Sequence, residues 1–171
     1  MGTEHKFLSD YNAARAWAGD RRAGGQRVVF TNGVFDLLHN GHLDSLRRAR
    51  AEGDWLIVAL NSDAAVKRLK GEGRPVLAEG QRARLLGALD CVDAVVLFHE
   101  DTPREIIEAV EPDVLVKGGH YTIPEIVGHD FVLERGGRVL SLPLLPGYST
   151  TDLVARIKER FAPESVAPPT A

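Results

Sequence analysis

The sequence predicts an α/β protein, a Rossmann-like three-layer α/β/α sandwich built on a five-stranded parallel sheet. Three observations lead there. From residue 27 onward, short apolar runs rich in β-branched residues alternate with amphipathic stretches, the rhythm of βαβ units. The runs are continuously apolar rather than alternating, as strands buried on both faces must be, and such burial needs helices above and below the sheet. A length of 171 residues, 44% of them hydrophobic and 26% charged, is also enough for one substantial core.

In chain order, a helix is expected over 12–22, followed by a first strand at Arg27–Thr31. His42–Ala51 carries Leu43, Leu46 and Ala49 at helical spacing and ends at the stop signal Glu52-Gly53. The second strand is Trp55–Leu60. Lys70–Pro75, KGEGRP, reads as a mobile, glycine-rich, charged site loop. A helix at Gln81–Leu89, with Leu85, Leu86 and Leu89, leads to a strand at Ala94–Phe98. Pro103–Val110 is helical with the proline in the favourable first position. The fourth and fifth strands, Asp113–Val116 and Arg138–Leu142, flank a helix at Pro124–Arg135 that stops at Gly136-Gly137. A last helix covers Thr151–Phe161. Trp17, Trp55 and Phe98 read as packing residues rather than an adenine box. Without repeats or a linker, residues 1–162 form a single domain with its core at 27–160, and 163–171, PESVAPPTA, are expected to be a disordered tail.

The composition narrows the partners. A formal net charge of -3 gives no electrostatic reason to expect nucleic acid, so small molecules or a second copy of the chain are the expected partners. Cys91 is the only cysteine, which excludes an intrachain disulfide or thiolate metal cluster and fits a reducing cytoplasm, the expected location. No apolar run approaches the roughly 20 residues that cross a bilayer.

The chemistry concentrates where the first strand hands over to a helix, in Thr31–His42, TNGVFDLLHNGH. In open parallel sheets ligands bind beyond the carboxyl ends of the strands. Thr31, Asn32 and Gly33 offer small polar groups and close backbone approach there, and Gly41 opens a helix whose first N–H groups attract anions. His39 and His42 point toward the start of that helix, where imidazole N–H groups hold phosphate oxygens and neutralise developing charge. Lys117-Gly118-Gly119 follows a buried strand and shares the same edge. Ser149-Thr150-Thr151 precedes the last helix, with hydroxyls suited to capping it or to contacting phosphate. Asp36 and Asn61 suit either ligand contact or strand-end turns. A zinc site would need further ligands, and no local spacing supplies them.

The string TNGVFDLLHNGH, with its HxGH element at His39–His42, resembles the signature of the HxGH nucleotidylyltransferases. Asn61-Ser62-Asp63, Lys67–Pro75, Leu115–Gly119 and Ser149–Thr151 extend the resemblance to the adenylyltransferases that make ADP-heptose from heptose 1-phosphate and ATP. It covers about residues 27–160, with the motifs in the family's order. The resemblance implies direct attack of a sugar phosphate oxygen on the α-phosphorus of ATP, with release of pyrophosphate. It implies His39, His42 and Lys70 as catalytic groups. Nucleotide contacts would come from Thr31, Asn32, Gly33, Phe35, Asp36, Gly41, Lys117, Gly118, Ser149, Thr150 and Thr151. Asn61, Lys67, Arg74, Gly119 and His120 would face the sugar phosphate. Magnesium is expected with the triphosphate, held mainly by substrate oxygens and water rather than by a protein cage. A homodimer is compatible with such a fold.

One departure stands out: relatives carry an acidic residue after the paired glycines, as in KGGD, whereas this chain has His120. Imidazole changes the donor pattern presented to sugar hydroxyls, which leaves the acceptor sugar and its anomer open. Two other readings remain alongside: a cytidylyltransferase for glycerol 3-phosphate or another polyol phosphate, and a nonenzymatic nucleotide-binding module. A dehydrogenase is disfavoured, because TNGVFD stands where GxGxxG would be required.

Overall fold

A computed structural model of the protein describes residues 6–161, so the expected tail at 163–171 lies outside the described residues. Six strands form one sheet: β1 (Phe7–Leu8), β2 (Val28–Gly33), β3 (Trp55–Asn61), β4 (Ala94–Phe98), β5 (Val114–Gly118) and β6 (Arg138–Leu142). Their spatial order is β1-β4-β3-β2-β5-β6, and every pair is parallel. The chain steps from β2 to β3 to β4, then crosses back to place β5 on the other side of β2. Connections therefore leave β2 in opposite directions, and the crevice this opens at its carboxyl end is where an open sheet binds ligands.

The continuous apolar strands are buried on both faces, as expected. One face packs Val28, Phe30, Ile57 and Ala59 against α1 (Tyr11–Ala23), α5 (Arg104–Val110) and α6 (His129–Glu134), through Ala14, Ala18, Ile106, Ile107 and Val132. The other packs Val29, Leu56, Val58 and Leu60 against Leu46 and Ala49 of α2 (Asn40–Arg50) and Ala83 and Leu86 of α4 (Glu79–Gly87). Two more helices, α3 (Asp63–Lys70) and α7 (Thr150–Arg160), border the carboxyl edge. At the opposite edge, aspartates tie adjacent strands together: Asp113 accepts from the Val28 amide and Asp93 from the Leu56 amide.

Four local expectations are corrected. The sheet has six strands rather than five, because Phe7–Leu8 adds a two-residue edge strand beside Val95 and Val96, too short to show a period. Helix α3 begins earlier than the expected loop, capped by Ser62, whose hydroxyl accepts from the Ala65 amide. The helix expected at 124–135 is divided into a 3-10 turn, Ile123–Glu125, and α6, because Ile126 takes an extended conformation and is only 3% exposed. Pro103 caps α5 from outside instead of occupying its first turn. No helix among the described residues is long and apolar enough to cross a membrane.

Candidate active site

Strand β2 runs out at Gly33, and Phe35 then takes a left-handed conformation with φ of 45°, which costs a non-glycine residue about 1–2 kcal/mol. That turn sends the chain away from the sheet and returns it at His39, the N-cap of α2. His39 caps with a ring nitrogen: its Nδ1 accepts the His42 amide at 3.3 Å. An accepting Nδ1 is unprotonated, so the proton of the neutral ring sits on Nε2. The two imidazoles lie face to face, with centroids 3.8 Å apart and planes 17° apart. Phe35 leans on His42 from one side, and Tyr148 lies nearly parallel to His39 from the other.

Gly41 makes the stack possible. A Cβ there would meet the Tyr148 Cβ at 2.9 Å and the His39 ring at 3.1 Å. The bareness of Gly33, which invited a phosphate, is instead used by the Phe35 ring, 3.0 Å from where a Cβ would sit.

Burial pushes the His42 pKa from its ordinary 6.5 down to about 4, with repulsion from His39 adding to the drop and Asp36 opposing it. Burial also lowers that of His39. Both rings are therefore neutral hydrogen-bonding groups in the free protein at pH 7. The Nδ1 of His42 is buried and finds no hydrogen-bond partner among the described residues.

Two cavities meet at His42, Val34 and Phe35. The larger, about 420 Å3, is walled by Asp36, Val66, Lys70, Arg74, Thr150 and Thr151 as well as the shared residues. The smaller, about 230 Å3, lies between β2 and β5, with Thr31, Asn32, Gly33, Ser45, Lys117, Gly118 and Tyr121 on its polar side and Leu46, Val116, Leu142 and Leu144 on its apolar side. Lys117 donates to the Asn32 Oδ1 at 3.3 Å, and burial lowers its pKa. Among the described residues no carboxylate lines the smaller cavity, and this ammonium is matched there by a neutral amide, an arrangement that attracts an anion.

Asp36 lines the larger cavity and is also engaged within the protein. It is 4% exposed and accepts from Arg74 at 2.9 Å, from the Val76 amide at 2.9 Å and from the Leu77 amide at 3.0 Å. Burial alone would raise its pKa, but these three donors outweigh it and hold the carboxyl below the usual range. The loop 71–78 is consequently fastened at residues 74–77 through its backbone and Arg74, while its tip at 71–73 and the Val76 side chain stand exposed.

The remaining expected residues divide. Ser149 caps α7 by accepting the Asp152 amide, while the next two hydroxyl residues line the larger cavity. Asn61 is buried and uses its carbonyl within the protein. Lys67 lies on α3 rather than on the loop and pairs with Glu72 at 3.7 Å. Gly119 is buried, its amide donating to the Leu142 carbonyl. His120 is exposed and lines neither cavity; its neighbour Tyr121 does. Three residues went unread. Ser45 has a buried hydroxyl without a partner among the described residues and lies one turn beyond Gly41, a spacing that could have flagged it. Tyr121 directly follows the KGGH motif. Arg82 sits in an ordinary-looking helix and offers no signal in its neighbours.

Among the described residues no group of three or more His, Cys, Asp or Glu side chains could hold a metal ion, and the carboxylate that lines the larger cavity is engaged by Arg74. A magnesium ion accompanying a triphosphate would thus take its ligands from phosphate oxygens and water.

Neutral imidazoles at a helix N-terminus, cations on either side and a crevice at the carboxyl edge of a parallel sheet define a nucleotidyltransferase. Residues 30–156 match the cytidylyltransferase-like family, and the chain belongs to it. Over 139 residues it is 60% identical to the bifunctional protein HldE of Halorhodospira halophila, covering 81% of this chain and 29% of that one. Over 143 residues it is 51% identical to the bifunctional protein HldE of Geobacter sulfurreducens, covering 84% and 29%. The chain therefore spans less than a third of the length of these relatives. Among solved structures, the lipopolysaccharide core biosynthesis protein of Thermoplasma volcanium superposes with a TM-score of 0.59 at 27% identity, covering 71% of this chain and 98% of that one. The pantoate-beta-alanine ligase of Francisella tularensis, at 14% identity and a TM-score of 0.53 over 89% of this chain and 76% of that one, shares the fold.

Proposed function

We propose that the protein transfers AMP from ATP to D-glycero-β-D-manno-heptose 1-phosphate, giving ADP-heptose and pyrophosphate. The observation that carries this reading is the position of His42, in the wall common to both cavities, with Lys117 on one side and Lys70 and Arg74 on the other. The nucleoside occupies the smaller, partly apolar cavity, and its phosphates run past His42 toward Thr150 and Thr151 at the start of α7. The sugar phosphate approaches the α-phosphorus from the side opposite the β- and γ-phosphates, in line with the departing pyrophosphate. One of its phosphate oxygens attacks the α-phosphorus; a new P–O bond forms, the α–β bridging bond breaks, and pyrophosphate leaves with its electron pair. The sugar phosphate is already an anion, so no general base is required.

Catalysis is then alignment and charge stabilisation. The His42 ring donates a hydrogen bond to the α-phosphate and gains proton affinity as negative charge collects beside it. Lys70 and Arg74 stabilise the departing pyrophosphate. The family resemblance of KRLKGEGRP and LVKGG supports the heptose acceptor, and the likeness to a lipopolysaccharide core biosynthesis protein supports a sugar of that class. The product is chemically suited to a glycosyltransferase that builds lipopolysaccharide core or another glycoconjugate.

The test is to incubate the protein with magnesium, ATP or CTP, and a panel of sugar and polyol phosphates including both heptose anomers, then quantify pyrophosphate and identify the nucleotide-linked product. ATP with heptose 1-phosphate should be preferred. A product formed from CTP and glycerol 3-phosphate would move the assignment to a polyol cytidylyltransferase, and nucleotide binding without pyrophosphate would make the chain a binding module.

A further inference from the structure

Arg82 is the largest side chain among the described residues with no exposure to solvent. A buried guanidinium persists only where its N–H groups are satisfied, and here four acceptors come from three separate stretches of chain, at residues 34, 61–63 and 77. Its Nη1 donates to the Val34 carbonyl at 2.6 Å, its Nη2 to the Asn61 carbonyl at 2.9 Å and to Asp63 at 2.6 Å, and its Nε to the Leu77 carbonyl at 3.0 Å.

These acceptors share a location. The ladder between β2 and β3 ends with Gly33 beside Leu60, so Val34 and Asn61 carry the first carbonyls beyond that last rung. Two parallel strands diverging toward their loops would leave those carbonyls without backbone donors. Arg82 reaches in from α4 and bridges them, extending the ladder with a side chain. Its other two bonds reach the parts of the site that carry positive charge. Asp63 opens α3, whose last residue is Lys70. Leu77 ends the fastened part of the loop that carries Arg74. The Leu77 peptide is gripped twice, its N–H by Asp36 and its carbonyl by Arg82. Neither Lys70 nor Arg74 is on a strand, and both are referred to the ends of β2 and β3 through this one guanidinium.

We propose that Arg82 is a positioning residue for nucleotidyl transfer: from outside both cavities it sets where Lys70 and Arg74 stand relative to His42. The inference rests on the transfer reaction proposed above. Lysine cannot reproduce the function, because one ammonium lacks the planar fork that reaches three carbonyls and a carboxylate together.

The experiment compares wild type, Arg82→Lys, Arg74→Ala and the double variant in steady-state pyrophosphate release, with ATP binding measured separately by calorimetry and folding by near-UV circular dichroism. Arg82→Lys should lower kcat about 100-fold, the scale of an ångström-sized misplacement, while the ATP dissociation constant changes less than about tenfold, because Lys117 and the apolar side of the smaller cavity keep their places and the groups displaced most are those that meet the departing pyrophosphate. Adding Arg74→Ala to Arg82→Lys should cost less than about a third of what it costs wild type, since the cation is already misplaced. Should Arg82→Lys fail to fold, Asp63→Ala loosens the same hub at a partly exposed position, with the same loss of additivity expected. The proposal is overturned if a folded variant keeps kcat within about a factor of two, or if the costs of the single substitutions multiply within that factor in the double variant. A wild-type chain that releases no pyrophosphate from any substrate pair would instead defeat the transfer reaction itself.

Discussion

The depressed proton affinity of His42 makes acid a selective perturbant of the site. In the unfolded chain this imidazole takes up its proton near pH 6.5, and in the folded protein only near pH 4. Between those limits the unfolded state binds more protons, so stability is fully present above about pH 6.5 and is lost as the pH falls toward 4. At about 1.4 kcal/mol per pH unit the gap amounts to on the order of 3 kcal/mol, which residual solvent access reduces to about 2 kcal/mol. The assay is urea unfolding of wild type and His42→Gln at several pH values, followed by tryptophan emission. Trp17 and Trp55 suit it, because they meet edge to face at 6.2 Å with the Arg21 guanidinium over both rings, and unfolding breaks that cluster. Titrating groups not coupled to His42 are common to the two proteins and cancel in their difference, which leaves His42 with its neighbours His39 and Asp36. Wild type should lose about 2 kcal/mol relative to the glutamine variant on going from pH 7 to pH 4. A difference that stays constant across the range would refute the argument that burial keeps this ring neutral. Saturating triphosphate should shrink the wild-type loss, since bound anion favours the imidazolium and brings the folded-state pKa back toward the unfolded value.

Other substitutions separate the roles assigned above. His42→Ala should lower turnover by about 100-fold or more with the fold intact, and near-normal pyrophosphate release would reject the assignment. His39→Asn keeps an acceptor at the N-cap, so urea unfolding should register a change under about 0.5 kcal/mol while turnover again falls about 100-fold; a large stability loss would mean that ring stacking, not capping, holds the junction. Gly41→Ala drives a methyl group into the space shared by Tyr148 and His39 and should cost about 1–3 kcal/mol in unfolding experiments, together with activity. Lys117→Met removes a buried ammonium matched by an amide oxygen; the free protein should become more stable by about 1 kcal/mol while calorimetry shows ATP affinity reduced at least about tenfold.

The layered fold was legible because its signal is local and redundant. Five apolar runs such as WLIVAL cannot be exposed on either face, and that requirement alone brings helices to both sides. The histidine pair was legible as a candidate because HNGH sits at a strand-to-helix junction on the edge where open sheets bind ligands. Its geometry was not: stacking at 3.8 Å depends on Tyr148, more than a hundred residues away. Asp36 reads as a ligand contact because its partners Arg74, Val76 and Leu77 come from a loop whose path no periodicity encodes. Helix α3 is masked for a related reason, since DAAVKRLK buries only Ala65 and Val66 and its charges imitate a loop. Arg82 is the extreme case. On an amphipathic helix a charge is expected to face water, and only the convergence of carbonyls from residues 34, 61 and 77 makes burial tolerable.

Helix α7 buries none of its eleven residues, yet its first two, Thr150 and Thr151, form part of the cavity wall. With so little of it buried, a triphosphate bound at Thr150 and Thr151 is expected to add a fastening of its own. Part of the interaction energy of a bound triphosphate is consequently diverted into stilling eleven residues, and affinity should weaken steeply on warming as that ordering grows costlier. Amide protons along 150–160 should trade with solvent quickly in the free protein and slowly once the phosphates arrive, turning the helix into a built-in gauge of occupancy.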